Sequence, residues 1–163
     1  MKIRKILFCF AVLLFTLNLG CPYSFSNQLP NHLKTVAVPL LEDKTFEFGL
    51  KERFTNSIID QFMQSNVLKV TDLQHADSVF KGVIKSYKKQ ASSYDSDEKV
   101  KAYEIVIKIE IEFKDLKKDK IIYKNSNYTA RAQYNIGGSE EEAKNVLVSD
   151  TAKKLVQEAL TTW

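Results

Sequence analysis

The chain has few of the residues that enzymatic or metal chemistry needs. It holds two cysteines, two histidines, five glycines and one tryptophan in 163 residues. Cys9 lies inside an N-terminal apolar run and Cys21 just past its end, so no cysteine pair remains beyond that run to build a disulfide framework. His32 and His75 stand outside any HExxH-type spacing, and no thiol follows Cys21 to complete a metal site. His75, between Asp72 and Asp77, reads as a solvated loop histidine. Gly137-Gly138 is followed by neither a GKS/GKT sequence nor GxGxxG, which excludes a phosphate loop, and no serine sits in a GxSxG turn. Asp95 and Asp97 alternate like the start of a calcium loop, but the glycine and the distal glutamate are missing. The expectation is a protein without a cofactor or a catalytic set, and a cell-wall hydrolase is the weakest reading.

Long apolar runs are also scarce. The single one, ILFCFAVLLFTLNLG, follows MKIRK and is about fifteen residues, short of the ~20 that span a bilayer. A basic start, an apolar stretch and small Gly20 before Cys21 make a secretory signal over residues 1–20. Gly20-Cys21 resembles the end of a bacterial lipobox, which marks Cys21 for lipidation, although Asn18 and Leu19 depart from the usual pattern. Ordinary signal-peptidase cleavage and a retained anchor are the competing readings. Three of the 24 bases (Lys2, Arg4, Lys5) and no acid lie before Cys21, which leaves 21 bases against 20 acids. The basic balance therefore belongs to the leader, and no nucleic-acid footprint remains.

What the chain does have is β-alternation. In KVKAYEIVIKIEIEFKD, residues 99–115, Tyr103, Ile105, Ile107, Ile109, Ile111 and Phe113 share one parity, while Glu104, Lys108, Glu110, Glu112 and Lys114 take the other. A period of two is a strand with one dry face and one wet face. Residues 33–41, LKTVAVPLL, predict a short strand with Val36, Val38 and Leu40 on one face and Pro39 at its end. Residues 42–47 read as a polar connection. Leu50, Phe54, Ile58 and Phe62 then recur every four residues and predict a helix over 48–65. Residues 67–71 predict a second strand, parallel to the first in a βαβ unit. Residues 79–89, 99–115 and 120–134 predict an antiparallel meander, with a turn-rich stretch at 90–98 and a charged turn at Lys117-Lys118-Asp119. Gly82 marks a bulge or a close approach. Ser139 and Glu142 form a capping box, and Val148, Ala152, Leu155, Ala159 and Trp163 form the stripe of a C-terminal helix. The order βαβββα is an α+β two-layer sandwich, a mixed sheet with two helices on one face. The expected division is a leader at 1–20, a lipidated N-terminus and tether at 21–32, and one domain at 33–163.

Lysines provide the candidate binding residues. Lys81, Lys85 and Lys89 share one parity of the strand at 79–89, Lys88 adjoins them, and Lys117, Lys118, Lys120 and Lys124 crowd the next hairpin. As point charges, Lys85, Lys88, Lys89, Lys117 and Lys118 suit phosphate groups. Equally, they suit a solvated face that discourages edge-to-edge pairing.

Several stretches together resemble one family. CPYSFS at 21–26 is similar to the C-G-Y-x-F start of LptE-type lipoproteins, with Pro22 in place of Gly. TVAVPLLEDKTFEFGLKERFTNSIIDQF at 35–62 resembles that family's TVAVPxFxNxTxEPGLE segment, with Asp43 for Asn and Phe48 for Pro. Ala76-Asp77, Gly82-Val83-Ile84, Tyr87, Ser93-Tyr94-Asp95 and the closing SEEEA…W follow in order. The resemblance implies a non-enzymatic lipoprotein of the outer membrane, facing the periplasm. It further implies that the chain plugs the LptD β-barrel and handles lipopolysaccharide. The pattern TVAVPLLEDKT is also similar to curli-type secretion lipoproteins, which build rings.

Overall fold

The structure, a computed structural model, describes residues 29–161. Cys21 and Trp163 lie outside them. Among the described residues, six strands and two helices follow in the order β1 (Thr35–Ala37), β2 (Glu42–Asp43), α1 (Leu50–Ser65), β3 (Lys69–Val70), β4 (Ser78–Tyr94), β5 (Val100–Asp115), β6 (Lys120–Asn135) and α2 (Glu140–Thr161). One mixed sheet has the order β3-β1-β4-β5-β6, with β2 also paired to β4. The β1, β2 and β3 pairings are parallel, and β4, β5 and β6 form the antiparallel meander. Both helices cover one face, so the two-layer α+β sandwich is as the alternation and the helical spacing predict.

β5, between β4 and β6, supplies the largest part of the sheet's share of the core. Ile105, Ile107, Ile109, Ile111 and Phe113 are all fully buried. They pack under Leu50, Phe54, Ile58 and Phe62 of α1 and Val148, Ala152, Leu155 and Ala159 of α2 in one core. Phe62 meets Phe80 edge to face at 5.3 Å between ring centroids, and Phe113 lies 6.3 Å from Phe62 and 6.1 Å from Phe80. The helix ends are built locally. Gly49 takes φ 72 at the start of α1 and Asn66 φ 54 at its end, left-handed positions that suit those residues. Ser139 Oγ accepts the Glu142 N–H at 3.1 Å, the half of the capping box that satisfies an orphan donor.

Three boundaries differ from the sequence reading. The first strand ends at Ala37, ahead of Pro39, and pairing resumes at Glu42 as β2, so residues 42–43 are strand, not connection. Val36 and Ala37 pair with Ser78 and Val79, whereas Glu42 and Asp43 pair with Val83 and Ile84. One extra residue therefore lies on the β1–β2 side. Proline cannot donate to the ladder, and the inserted residue reverses the parity after it. Leu41 is consequently buried, whereas Leu40, expected on the face of Val36 and Val38, is 55% exposed. Finally, β4 runs on to Tyr94 through the stretch read as turn, because β5 pairs with it as far as Val100.

Gly82 is a close approach. A Cβ there would lie 2.8 Å from Ile111 Cδ1, 2.9 Å from Leu41 Cδ2 and 3.0 Å from Leu41 Cγ. Gly82→Val should cost about 1–3 kcal/mol through overpacking, measured by chemical denaturation. An unchanged midpoint would show that Leu41 gives way freely.

Candidate functional site: the charged open face and the basic hairpin

The sheet face away from the helices carries the second parity of β5. Glu104, Glu110 and Glu112 stand between basic residues of both neighbouring strands. Lys85 Nζ of β4 lies 2.6 Å from Glu110. Lys124 Nζ of β6 lies 3.6 Å from Glu110 and 3.2 Å from Glu112. Arg131 pairs with Glu104 at 3.1 Å, and Gln90 donates to the same carboxylate at 3.0 Å. Register places Lys88 and Arg131 either side of Val106, and Val106 is buried although it faces outward, as expected when long stems lie across an apolar neighbour. The hydrogen bond from Lys85, with Lys124 nearby, holds the Glu110 carboxyl below its ordinary range. Pairs this exposed contribute little stability each. Their effect is a wet surface of both signs.

The structure divides the five candidate lysines among three places. Lys85 and Lys88 lie on the open face. Lys85 also donates to the Ser126 carbonyl at 2.9 Å, whereas Lys88 is exposed. Lys89 does not share their face. β4 carries a register shift between Ile84 and Ser86, and this bulge at Lys85 turns Lys89 to the helix side. There its ammonium meets Glu140 at 2.5 Å and lies 5.0 Å from the centre of the Tyr103 ring. Glu140 also accepts from Tyr87 and Tyr134, each at 3.0 Å. Alternation across an unbroken strand cannot reveal this cluster. Its sequence signal is Glu140 at the start of a capped helix.

Lys117 and Lys118 sit in the β5–β6 turn, about 15–20 Å along β5 from Lys85 at ~3.3 Å per residue. Lys117 Nζ pairs with Asp77 at 2.7 Å. Asp77 also accepts the N–H groups of Lys34 at 2.7 Å and Thr35 at 3.0 Å. The Lys117 ammonium, then those N–H groups, hold the Asp77 carboxyl far below the carboxylate range. Lys118 is exposed beside an open cleft of about 300 Å³ lined by Pro30, His32, Lys120, Ile121 and Ile122. Lysine and isoleucine side chains together line this cleft, with the Asp115 carboxylate among them.

The sequence reading missed the link that closes this end. His32 Nε2 lies 2.6 Å from Asp115 Oδ2. Asp115 Oδ1 accepts the N–H groups of Lys117 at 2.8 Å and Lys118 at 3.0 Å. Asp115 is buried, which raises its carboxyl, but His32 and the two N–H groups outweigh burial and hold it below the ordinary value. Two further residues carry no sequence signal: Phe46 and Phe48 are 107% and 95% exposed. Among the described residues no group of three metal-ligating side chains occurs, and no helix is long and apolar enough to cross a membrane.

Comparison with known proteins agrees with this fold. No functionally curated protein matches the chain. Among solved structures, a hypothetical protein of Chlamydia trachomatis is similar at 13% identity and TM-score 0.59, covering 79% of this chain and 97% of that one. Lipoprotein B of Nitrosomonas europaea is similar at 15% identity and TM-score 0.53, covering 83% of each. A PelC dodecamer subunit from Paraburkholderia phytofirmans is similar at 13% identity and TM-score 0.52, covering 79% and 90%. These likenesses establish the shared fold. The family model described as LptE, lipopolysaccharide-assembly, matches residues 33–162. That span includes both the charged open face and the basic hairpin, and the chain therefore belongs to the LptE family of lipopolysaccharide-assembly proteins.

Proposed function

We propose that the protein is a non-enzymatic lipoprotein of the outer membrane, anchored through Cys21 and facing the periplasm. In this reading it seats as a plug in an LptD-type β-barrel and takes part in moving lipopolysaccharide to the outer leaflet. The observation that carries the reading is the sheet's open face. A plug must present a polar surface to a lumen that is itself wet, and the Lys85–Glu110–Lys124–Glu112 network offers both signs of charge on a rigid sheet. Lys85, Lys88, Lys117 and Lys118 are the proposed contacts for lipopolysaccharide phosphates. The isoleucines of the cleft beside Lys118 and Lys120 offer an apolar surface to the same amphiphile. Lys89 is engaged by Glu140 and the tyrosines, away from the open face. Acylation at Cys21 would supply membrane affinity at ~0.8 kcal/mol per buried CH₂.

The test is co-purification of the tagged full chain from detergent-solubilised outer membranes. The barrel should be recovered with it. Recovery of the chain alone while the barrel is intact would reject the reading. Radiolabelled palmitate should enter the wild type and not Cys21→Ser; equal labelling of both would reject the anchor. The PelC subunit of this fold was solved as a dodecamer, which keeps a ring-forming channel subunit as the second reading. A large homo-oligomer on sizing in detergent would favour it.

A further inference from the structure

β4 loses its neighbour halfway along. On its β1 side it pairs with β1 at Ser78–Val79 and with β2 at Val83–Ile84. The last contact is the Lys44 N–H to the Ile84 carbonyl at 2.9 Å. From there the chain turns away toward α1. Among the described residues, 86–94 of β4 pair with β5 alone. Their outward N–H and C=O groups form an open sheet edge.

A docking feature stands where the ladder stops. A cleft of about 380 Å³ opens between Lys44, Thr45, Phe46 and Glu47 on one wall and Lys85, Ser86 and Tyr87 on the other. Phe46, which lines it, and Phe48, two residues on, are both fully solvent-exposed. Their exposure does not come from a loose loop. Asp43 Oδ1 accepts the Thr45 N–H at 2.7 Å and Thr45 Oγ1 accepts the Glu47 N–H at 3.2 Å. Glu47, between the two phenyls, is drawn inward by the buried Lys144 ammonium, and Gly49 at φ 72 turns the chain into α1. The intervening acid is tied down, and its two neighbours are held out. Surfaces of this kind gain affinity from main-chain pairing and specificity from side-chain pockets. Lys44 and Lys88 flank the edge, exposed and without an acidic partner among the described residues. They place two cations at the edge.

We infer that this edge receives an extended, acid-bearing segment of the barrel partner. The segment adds as a strand along residues 86–94 of β4 and sets apolar side chains against Phe46 and Phe48, and its acids face Lys44 and Lys88. This rests on the barrel-plug reading above and assigns the place where the two chains join.

Amide hydrogen exchange tests it, comparing the full chain expressed alone with the same chain purified in detergent with the barrel. Amides within 86–94 should slow at least tenfold in the complex. The double variant F46A/F48A should keep the thermal midpoint of the wild type, because both rings are solvent-exposed, yet recover at least tenfold less barrel after a high-salt wash. Exchange at 86–94 that is the same alone and in the complex overturns the inference while leaving the barrel reading intact. Undiminished recovery by F46A/F48A overturns it likewise. Failure of the wild type to recover any barrel overturns both.

Discussion

Phe62→Ala should lower the stability of the folded chain by about 3–5 kcal/mol and its thermal midpoint by roughly 10–15 °C. Phe62 is fully buried and forms one corner of a triangle with Phe80 and Phe113. Those partners stand on β4 and β5, which pair directly opposite one another at Phe80 and Phe113. A sheet fixed by that register cannot close onto the space an alanine would leave, so the loss combines the transfer of the ring with a persistent cavity. Met63, next along α1 and 53% exposed, is the control, and Met63→Ala should lie within about 0.5 kcal/mol of wild type. Urea denaturation followed by circular dichroism measures both. A Phe62→Ala cost below about 1 kcal/mol would mean that the layers relax together, contrary to this packing.

Asp115→Ala should cost about 2–3 kcal/mol at neutral pH, because a buried carboxylate that organises several donors is removed and the donors lose their acceptor. The side chain holds His32 at one oxygen and two turn N–H groups at the other. It therefore joins the segment entering at residue 29 to the β5–β6 turn. Asp115→Asn keeps an acceptor for the turn but loses the charge facing His32, so it should cost less than alanine. The pH dependence gives a second readout. The Asp115 carboxyl is held below its ordinary value of 3.8, so its contribution is complete above that pH and is lost as pH falls through the lower folded value. Asp77, depressed by Lys117 and by two backbone N–H groups, acts in the same direction. Acid unfolding of Asp115→Asn should thus show a shallower dependence on pH below about 4 than wild type. Parallel curves for the two would show that Asp115 is not the titrating group.

The sheet–helix layering was legible in the chain because its signals are local. The run of β-branched residues at alternate positions of β5 admits one buried face, and the spacing Leu50, Phe54, Ile58, Phe62 admits one buried stripe. Ser139 three residues before Glu142 marks a helix start wherever the helix packs. The lysines on β4 were harder to read. Parity along a strand assumes that no residue is inserted, and β4 inserts one at Lys85. Lys89 consequently meets Glu140 at the start of α2 and does not lie beside Lys85, and no pattern within residues 79–89 contains that fact. The same holds at Pro39, where one extra residue puts Leu41 inside and Leu40 outside.

By itself, then, the sequence determined two amphipathic helices and a long strand with one dry face and one wet face. These depend on residue type and period, which act over a few neighbours. The tertiary structure decided which lysines face solvent together, which acids they meet, and where the sheet leaves an edge open beside two exposed phenylalanines. Those outcomes depend on bulges that reverse parity and on partners up to 97 residues apart, as in Lys144 and Glu47. Only the closed three-dimensional register brings such groups within reach of one another.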